Sequence, residues 1–253
     1  MGDEKTKNTD NSKANRIRRR AENVIIFCLA VLVVLSAWKV YTILHDYAQQ
    51  QNVYDGISET AQQDGFTGDI DFDALRKINP DVIAWIYYED SFINYPIVQG
   101  TDNEKYLYTM FDGNTGGFGT LFADADTEKA FGQFNTIVYG HHMHNGSMFG
   151  DLRKFKNAGF VDEHPRMELI TPEGKYHLDI WAFLNQPADS RIYTNNISDP
   201  EEKDEYLRML EDLCEYTTDV EVTPEDTIVL LSTCAYEYQD ARYIVVGKMV
   251  PWE

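Results

Sequence analysis

Thr227 to Val250 reads Thr-Ile-Val-Leu-Leu-Ser-Thr-Cys-Ala-Tyr-Glu-Tyr-Gln-Asp-Ala-Arg-Tyr-Ile-Val-Val-Gly-Lys-Met-Val. The runs Ile228–Leu231 and Tyr243–Val246 are β-branched, aromatic and apolar, which favours strands. If they pair as antiparallel neighbours across the loop Ala235 to Ala241, Cys234 and Arg242 stand at one end of a sheet. A thiolate is a strong nucleophile, and a fixed cation beside it stabilises both the thiolate and oxyanion charge on an attacked carbonyl. A half-buried cysteine beside a surface arginine is the plainer reading of this pair. What favours chemistry is a histidine elsewhere in the chain.

That histidine is His141, which follows the strand-like run Asn135–Tyr139 and Gly140. Histidine exchanges protons near neutral pH, so His141, Cys234 and Arg242 form a candidate set of acid/base, nucleophile and oxyanion stabiliser. His142 and His144 lie in the same stretch and raise the question of a metal. There is no His-Glu-x-x-His and no Cys-x-x-Cys, so no metal site is expected, and these two histidines are read as an exposed polar loop.

Outward from this centre, alternating runs at Val82–Tyr88, Phe92–Val98 and Thr120–Ala123 read as strands. Met167–Thr171 and Lys175–Leu184 form an expected hairpin across Pro172-Glu173-Gly174. Short helices are expected at Asp71–Ile78, within Thr101–Phe111, and over Ser147–Phe155 with Met148, Leu152 and Phe155 inward. The strongest helix signal of this part is Pro200–Tyr216, opened by Ser198-Asp199-Pro200-Glu201, with Cys214 on its apolar stripe. Seven or eight strands with inserted helices and no βαβ rhythm indicate a mainly β fold, a mixed or antiparallel barrel.

The N-terminal part differs in kind. Residues 1–22 are polar and carry Lys13, Arg16, Arg18, Arg19 and Arg20; Val24 to Leu44 is then a 21-residue apolar span interrupted only by Lys39. That is the length a helix needs to cross a bilayer. The basic flank places the N-terminus in the cytoplasm and the remainder outside, as an uncleaved signal anchor rather than a cleaved signal peptide. The expected organisation is a cytoplasmic tail over 1–22, a transmembrane anchor over 23–44, a stalk or first helix over 45–69 and a catalytic domain over 70–253.

Charge divides at the same boundary. Residues 1–44 hold eight Lys/Arg and four Asp/Glu, a net of +4, and the remaining chain holds 14 and 38, a net of −24, which together give the −20 of the 253 residues. So acidic an outer part is unsuited to nucleic acid.

The run Asn135-Thr-Ile-Val-Tyr-Gly-His-His-Met-His-Asn-Gly-Ser-Met-Phe-Gly150, the Leu231-Ser-Thr-Cys234 box and Arg242 in Ala-Arg-Tyr-Ile-Val-Val resemble the class B sortases. So do Asn79-Pro-Asp-Val-Ile-Ala-Trp-Ile86, Tyr95-Pro-Ile-Val-Gln-Gly100 and Asp102-Asn103, all in the same order across about residues 70–250. The resemblance implies a membrane-anchored cysteine transpeptidase of Gram-positive bacteria. Its fold would be an eight-stranded β-barrel with N-terminal helices and a long helix before the penultimate strand.

It further implies that Cys234 attacks the carbonyl after the threonine of an Asn-Pro-x-Thr-like sorting signal, and that a peptidoglycan amine resolves the thioacyl enzyme. His141 would be the acid/base and Arg242 the substrate-binding oxyanion stabiliser. Ser232, Thr233 and Tyr193 would contact the sorting peptide. Ala235 stands where some relatives carry an acidic residue. No cofactor is expected. The same residues would also suit a hydrolytic cysteine peptidase, and a membrane-tethered peptide- or wall-binding barrel is an alternative that needs no turnover.

Overall fold

The computed structural model describes residues 3–62, 66–235 and 240–252. Gln63–Gly65 of the expected stalk and Tyr236–Gln239 of the expected loop lie outside them, as do the side chains of Lys13 and Arg16. The chain divides into two units, residues 1–52 and 53–253.

Helix α1 runs Asp3–Ala61. Its stretch from Arg18 onward has a mean hydropathy of 2.4 in its most apolar window and is long and apolar enough to cross a membrane. The side chains of Val24, Phe27, Leu32, Trp38 and Leu44 are exposed, as lipid-facing groups would be. The polar residues after Leu44 continue as helix to Ala61. In the second unit, the end of α1 buries Tyr54, Ile57 and Ala61, and the Tyr54 hydroxyl donates to the Gly119 carbonyl.

The second unit is built on a barrel of eight strands: β1 (Val82–Tyr87), β2 (Asn94–Gln99), β3 (Leu121–Ala123), β4 (Asn135–Tyr139), β5 (Arg166–Thr171), β6 (Gly174–Pro187), β8 (Ile228–Cys234) and β9 (Ala241–Pro251). Their order is β5-β1-β2-β3-β4-β8-β9-β6, and β6 returns to pair with β5. Closure leaves the barrel without a free edge. A ninth strand, β7 (Tyr216–Thr217), adds to the flank of β6. Two neighbouring pairs, β2–β3 and β4–β8, are parallel and the others antiparallel.

Helix α2 (Phe72–Ile78) is capped by the Asp71 side chain, which accepts from Ala74 N at 2.8 Å. Helix α3 (Lys105–Tyr108) is one turn within the expected segment. The expected helix over Ser147–Phe155 begins later, as a 3₁₀ segment over Gly150–Lys156, because Met148 adopts a positive φ of 53° that no helix accommodates. Met148, Leu152 and Phe155 are nevertheless fully buried. A further helix, α4 (Ala158–Glu163), opens on the Asn157 side chain.

Helix α5 (Pro200–Leu213) begins as its capping chemistry dictates, with Asp199 accepting from Glu201 N and Glu202 N. It ends three residues earlier than the apolar spacing predicts. Cys214 is extended, Glu215 N donates to Phe183 O, and Tyr216 pairs with Phe183, so strand addition to β6 replaces the last helical turn. The buried face of α5, through Tyr206, Leu207 and Leu210, packs with Ile137 of β4, Leu230 of β8, Ile244 of β9 and Leu184 of β6. Cys214 sits partly buried against this cluster, and burial raises its thiol above the ordinary value. Covering this barrel face leaves the strand ends beyond it to form a cavity.

Candidate active site

Strand alternation places every second residue of β8 on one face. Leu230 and Ser232 are on the face covered by α5, so Cys234 follows on that face and Thr233 turns to the other. The β8–β9 register continues through Thr233↔Tyr243 to Cys234↔Arg242, so both strands are longer than the sequence pattern implies. Residues directly opposite on antiparallel strands project to the same side within side-chain contact. Ala235 N donates to Ala241 O at 2.8 Å, which makes Cys234–Arg242 the neighbouring, non-hydrogen-bonded pair, the geometry in which side chains approach most closely.

His141 comes from the other flank of β8. The parallel register sets Tyr139 opposite Ser232, and two residues further along each chain stand His141 and Cys234. One cavity of about 290 Å³ is bordered by His141, Cys234 and Arg242 together. All three are half-buried. Nε2 of His141 lies 2.6 Å from the Leu107 carbonyl; a carbonyl only accepts, so Nε2 carries the proton and Nδ1 is left to exchange one. The Arg242 guanidinium donates to its neighbour Ala241 O at 2.9 Å, which orients the group.

The three residues expected to touch a peptide fare differently. Ser232 and Tyr193 border the cavity and their hydroxyls are 2.9 Å apart. Thr233 also borders it and is 2% exposed.

The reading of His142 as part of an exposed loop is corrected. It is half-buried, and its Nδ1 donates to the Cys234 carbonyl at 2.6 Å. His144 is exposed, as expected. Among the described residues no group of three His, Cys, Asp or Glu is placed to hold a metal ion, and Cys214 and Cys234 are both free thiols.

Further residues line the site. Asn103, Leu107, Phe122, Tyr139 and Ala188 complete the cavity wall. Behind them, buried Asp124 accepts from the Tyr139 hydroxyl at 2.8 Å and from Asn103 Nδ2 at 3.2 Å. Burial, with the Asp124 charge adding to it, pushes the Tyr139 hydroxyl far above its ordinary value, so it remains a neutral donor. Tyr139 in turn packs against Tyr193, their ring centroids 6.0 Å apart. Of these, Asn103 lies in the Asp102-Asn103 pair and Tyr139 in the Asn135–Gly150 run, while Leu107, Phe122 and Ala188 carry no motif.

A thiol, an imidazole and a guanidinium converging at the ends of three strands suit acyl transfer, and the comparisons with known proteins agree. The Sortase domain family matches residues 87–250. The chain belongs to the class B sortases. Sortase B of Listeria monocytogenes is 30% identical over 225 residues, which cover 86% of this chain and 92% of that protein. Among solved structures, the Staphylococcus aureus sortase B–substrate complex superposes with a TM-score of 0.74 at 27% identity, covering 83% of this chain and all of that one. A Bacillus anthracis protein similar to sortase B gives a TM-score of 0.74 at 31% identity, covering 82% of this chain and 99% of the other. This sortase is therefore a cysteine transpeptidase of the cell wall, acting on sorting signals with an amine acceptor.

Proposed function

We propose that this sortase cleaves an Asn-Pro-x-Thr-like or related Pro-x-Thr sorting signal after the threonine through a thioacyl intermediate on Cys234. The observation that supports it above others is the Cys234↔Arg242 register with His141 on the same cavity. The Cys234 thiolate attacks the threonine carbonyl, and the oxygen charge that develops is met by the Arg242 guanidinium. His141 gives a proton to the departing amine as the C–N bond breaks. The incoming peptidoglycan amine then attacks the thioester, His141 takes its proton, and Cys234 leaves as thiolate.

Ser232 and Tyr193, with Asn103 and Tyr139, hold the peptide. The helix that can span a membrane anchors the protein as a single-pass chain, its basic N-terminus in the cytoplasm and the barrel outside. A sequential site of this kind transfers rather than hydrolyses when the amine outcompetes water at the thioester.

The test uses the full chain in detergent micelles with labelled Asn-Pro-x-Thr and other Pro-x-Thr peptides, with and without an amine acceptor, read by mass spectrometry. Cleavage after threonine, an adduct on Cys234 and an amine-dependent ligated product are expected. Release of the hydrolysed acid alone, at every amine concentration, would make the protein a peptidase. Full cleavage by Cys234→Ala would remove the mechanism.

A further inference from the structure

The parallel ladder between β4 and β8 ends one rung short of the nucleophile. Gly140 N donates to Ser232 O at 3.1 Å. Continuing the same pattern by two residues would bring the backbone N–H of residue 142 to the Cys234 carbonyl. The chain cannot supply that rung, because it has left β4 and folded into a tight loop in which Phe149 N donates to His141 O and His142 bridges Met148. At that place the His142 ring takes over, with Nδ1–H meeting the Cys234 carbonyl at 2.6 Å.

On the other flank of β8 the last described rung is Ala235 N to Ala241 O. Cys234 is therefore held from both sides, by backbone toward β9 and by one imidazole toward β4. Fixing its carbonyl fixes the peptide plane after Cys234 and with it the direction of the Cα–Cβ bond. The residue that does this is covalently next to His141, whose own ring is pinned to the Leu107 carbonyl.

We infer that His142 is a positioning residue for the sortase reaction, extending the β4–β8 ladder by one side-chain rung that sets the spacing between Cys234 and His141. The inference rests on the roles proposed above for those two residues. Geometry of this kind acts on the chemical step, where a displacement of about 1 Å costs on the order of 10²-fold. It leaves the peptide-holding wall of Ser232 and Tyr193 untouched.

The test compares His142→Phe, His142→Asn and His142→Gln in the full chain in micelles, with kcat and KM measured for a cleaved sorting peptide and Tm followed alongside. Phenylalanine keeps a ring near Tyr243, whose centroid is 6.0 Å away, and removes the donor. The asparagine amide nitrogen stands where Nδ1 stands, and glutamine sets its amide one methylene too far. His142→Phe and His142→Gln should lose roughly 10- to 100-fold in kcat with KM changed less than about threefold. His142→Asn should recover to within about fivefold of the parent.

Full kcat in His142→Phe, or equal losses in Asn and Gln, would overturn the inference, as would losses in all three that track falling Tm. Cys234→Ala runs in parallel. If that variant still cleaves, the underlying mechanism fails; if it is inactive while His142→Phe is fully active, only the positioning role fails.

Discussion

His141 donates from Nε2 to the backbone carbonyl of Leu107 at 2.6 Å. This contact selects Nδ1 as the proton-exchanging atom and fixes the ring to helix α3. His141→Gln retains an amide that can reach the carbonyl but no titrating nitrogen. It should lower peptide cleavage by roughly 10²- to 10⁴-fold, the usual worth of a general acid/base, with little change in Tm. Alkylation of Cys234 by iodoacetamide should persist in that variant. Near-normal turnover would assign the proton transfers elsewhere.

Arg242 is set by register directly across from Cys234. Arg242→Ala should reduce kcat by about 10²- to 10³-fold, as loss of an oxyanion donor does. Arg242→Lys keeps the charge but not the planar fork and should fall between the two. Steady-state kinetics decide the matter, and an alanine variant affected only in KM would make Arg242 a substrate-docking group.

The helix that carries Leu107 is itself moored. Asp81 accepts from the Tyr106 hydroxyl at 2.6 Å and from Lys105 Nζ at 2.9 Å. Those bonds, Tyr106 first, hold the Asp81 carboxyl below its ordinary value, and the Asp81 bond pushes Lys105 up to about 12. A depressed carboxylate stabilises the fold above its unfolded pKa and loses that contribution as pH falls through the folded one. The raised lysine contributes fully below its unfolded value of 10.5 and ceases to as pH rises through about 12. Both groups are largely solvated, so the effect is modest. Asp81→Asn should flatten the acid limb of Tm against pH below about pH 4 and lower kcat a few-fold by loosening α3. An unchanged acid limb would contradict the assignment.

Asp124 is buried and shared by Tyr139 and Asn103 on the cavity wall. Tyr139→Phe or Asp124→Asn alone should destabilise the protein by about 1–3 kcal/mol, the range for a buried hydrogen bond to a charged acceptor. The double variant should cost less than the sum, because both changes act on the same bond. Denaturant unfolding measures both. Additive losses would show that the two side chains act independently.

Much of the architecture is written in local chemistry. The β4 bounds follow from the β-branched run Asn135–Tyr139, and the start of α5 from the Asp199-Pro200-Glu201 cap. Cys234, His141 and Arg242 were legible because their reactivity is carried by residue type, and the ordered motifs around them made the family readable. What escaped belongs to long-range geometry. The partner of His141 is a backbone carbonyl, which any residue supplies, so Leu107 left no signal. Asp124 looks like one more acidic residue in an acidic chain until burial and Tyr139 single it out. The inward turn of His142 depends on where β4 stops, and the early end of α5 depends on β6 offering a strand partner.

The parallel pairing of β4 with β8 joins segments that are remote along the chain, with helices and a hairpin threaded between them. Such a junction carries the entropic cost of closing the intervening loop. Cys234 and His141 therefore meet only where that pairing is made. A chain in which β4 and β8 have parted carries the thiol without its neighbouring imidazole, so enzymatic activity should report completion of the fold.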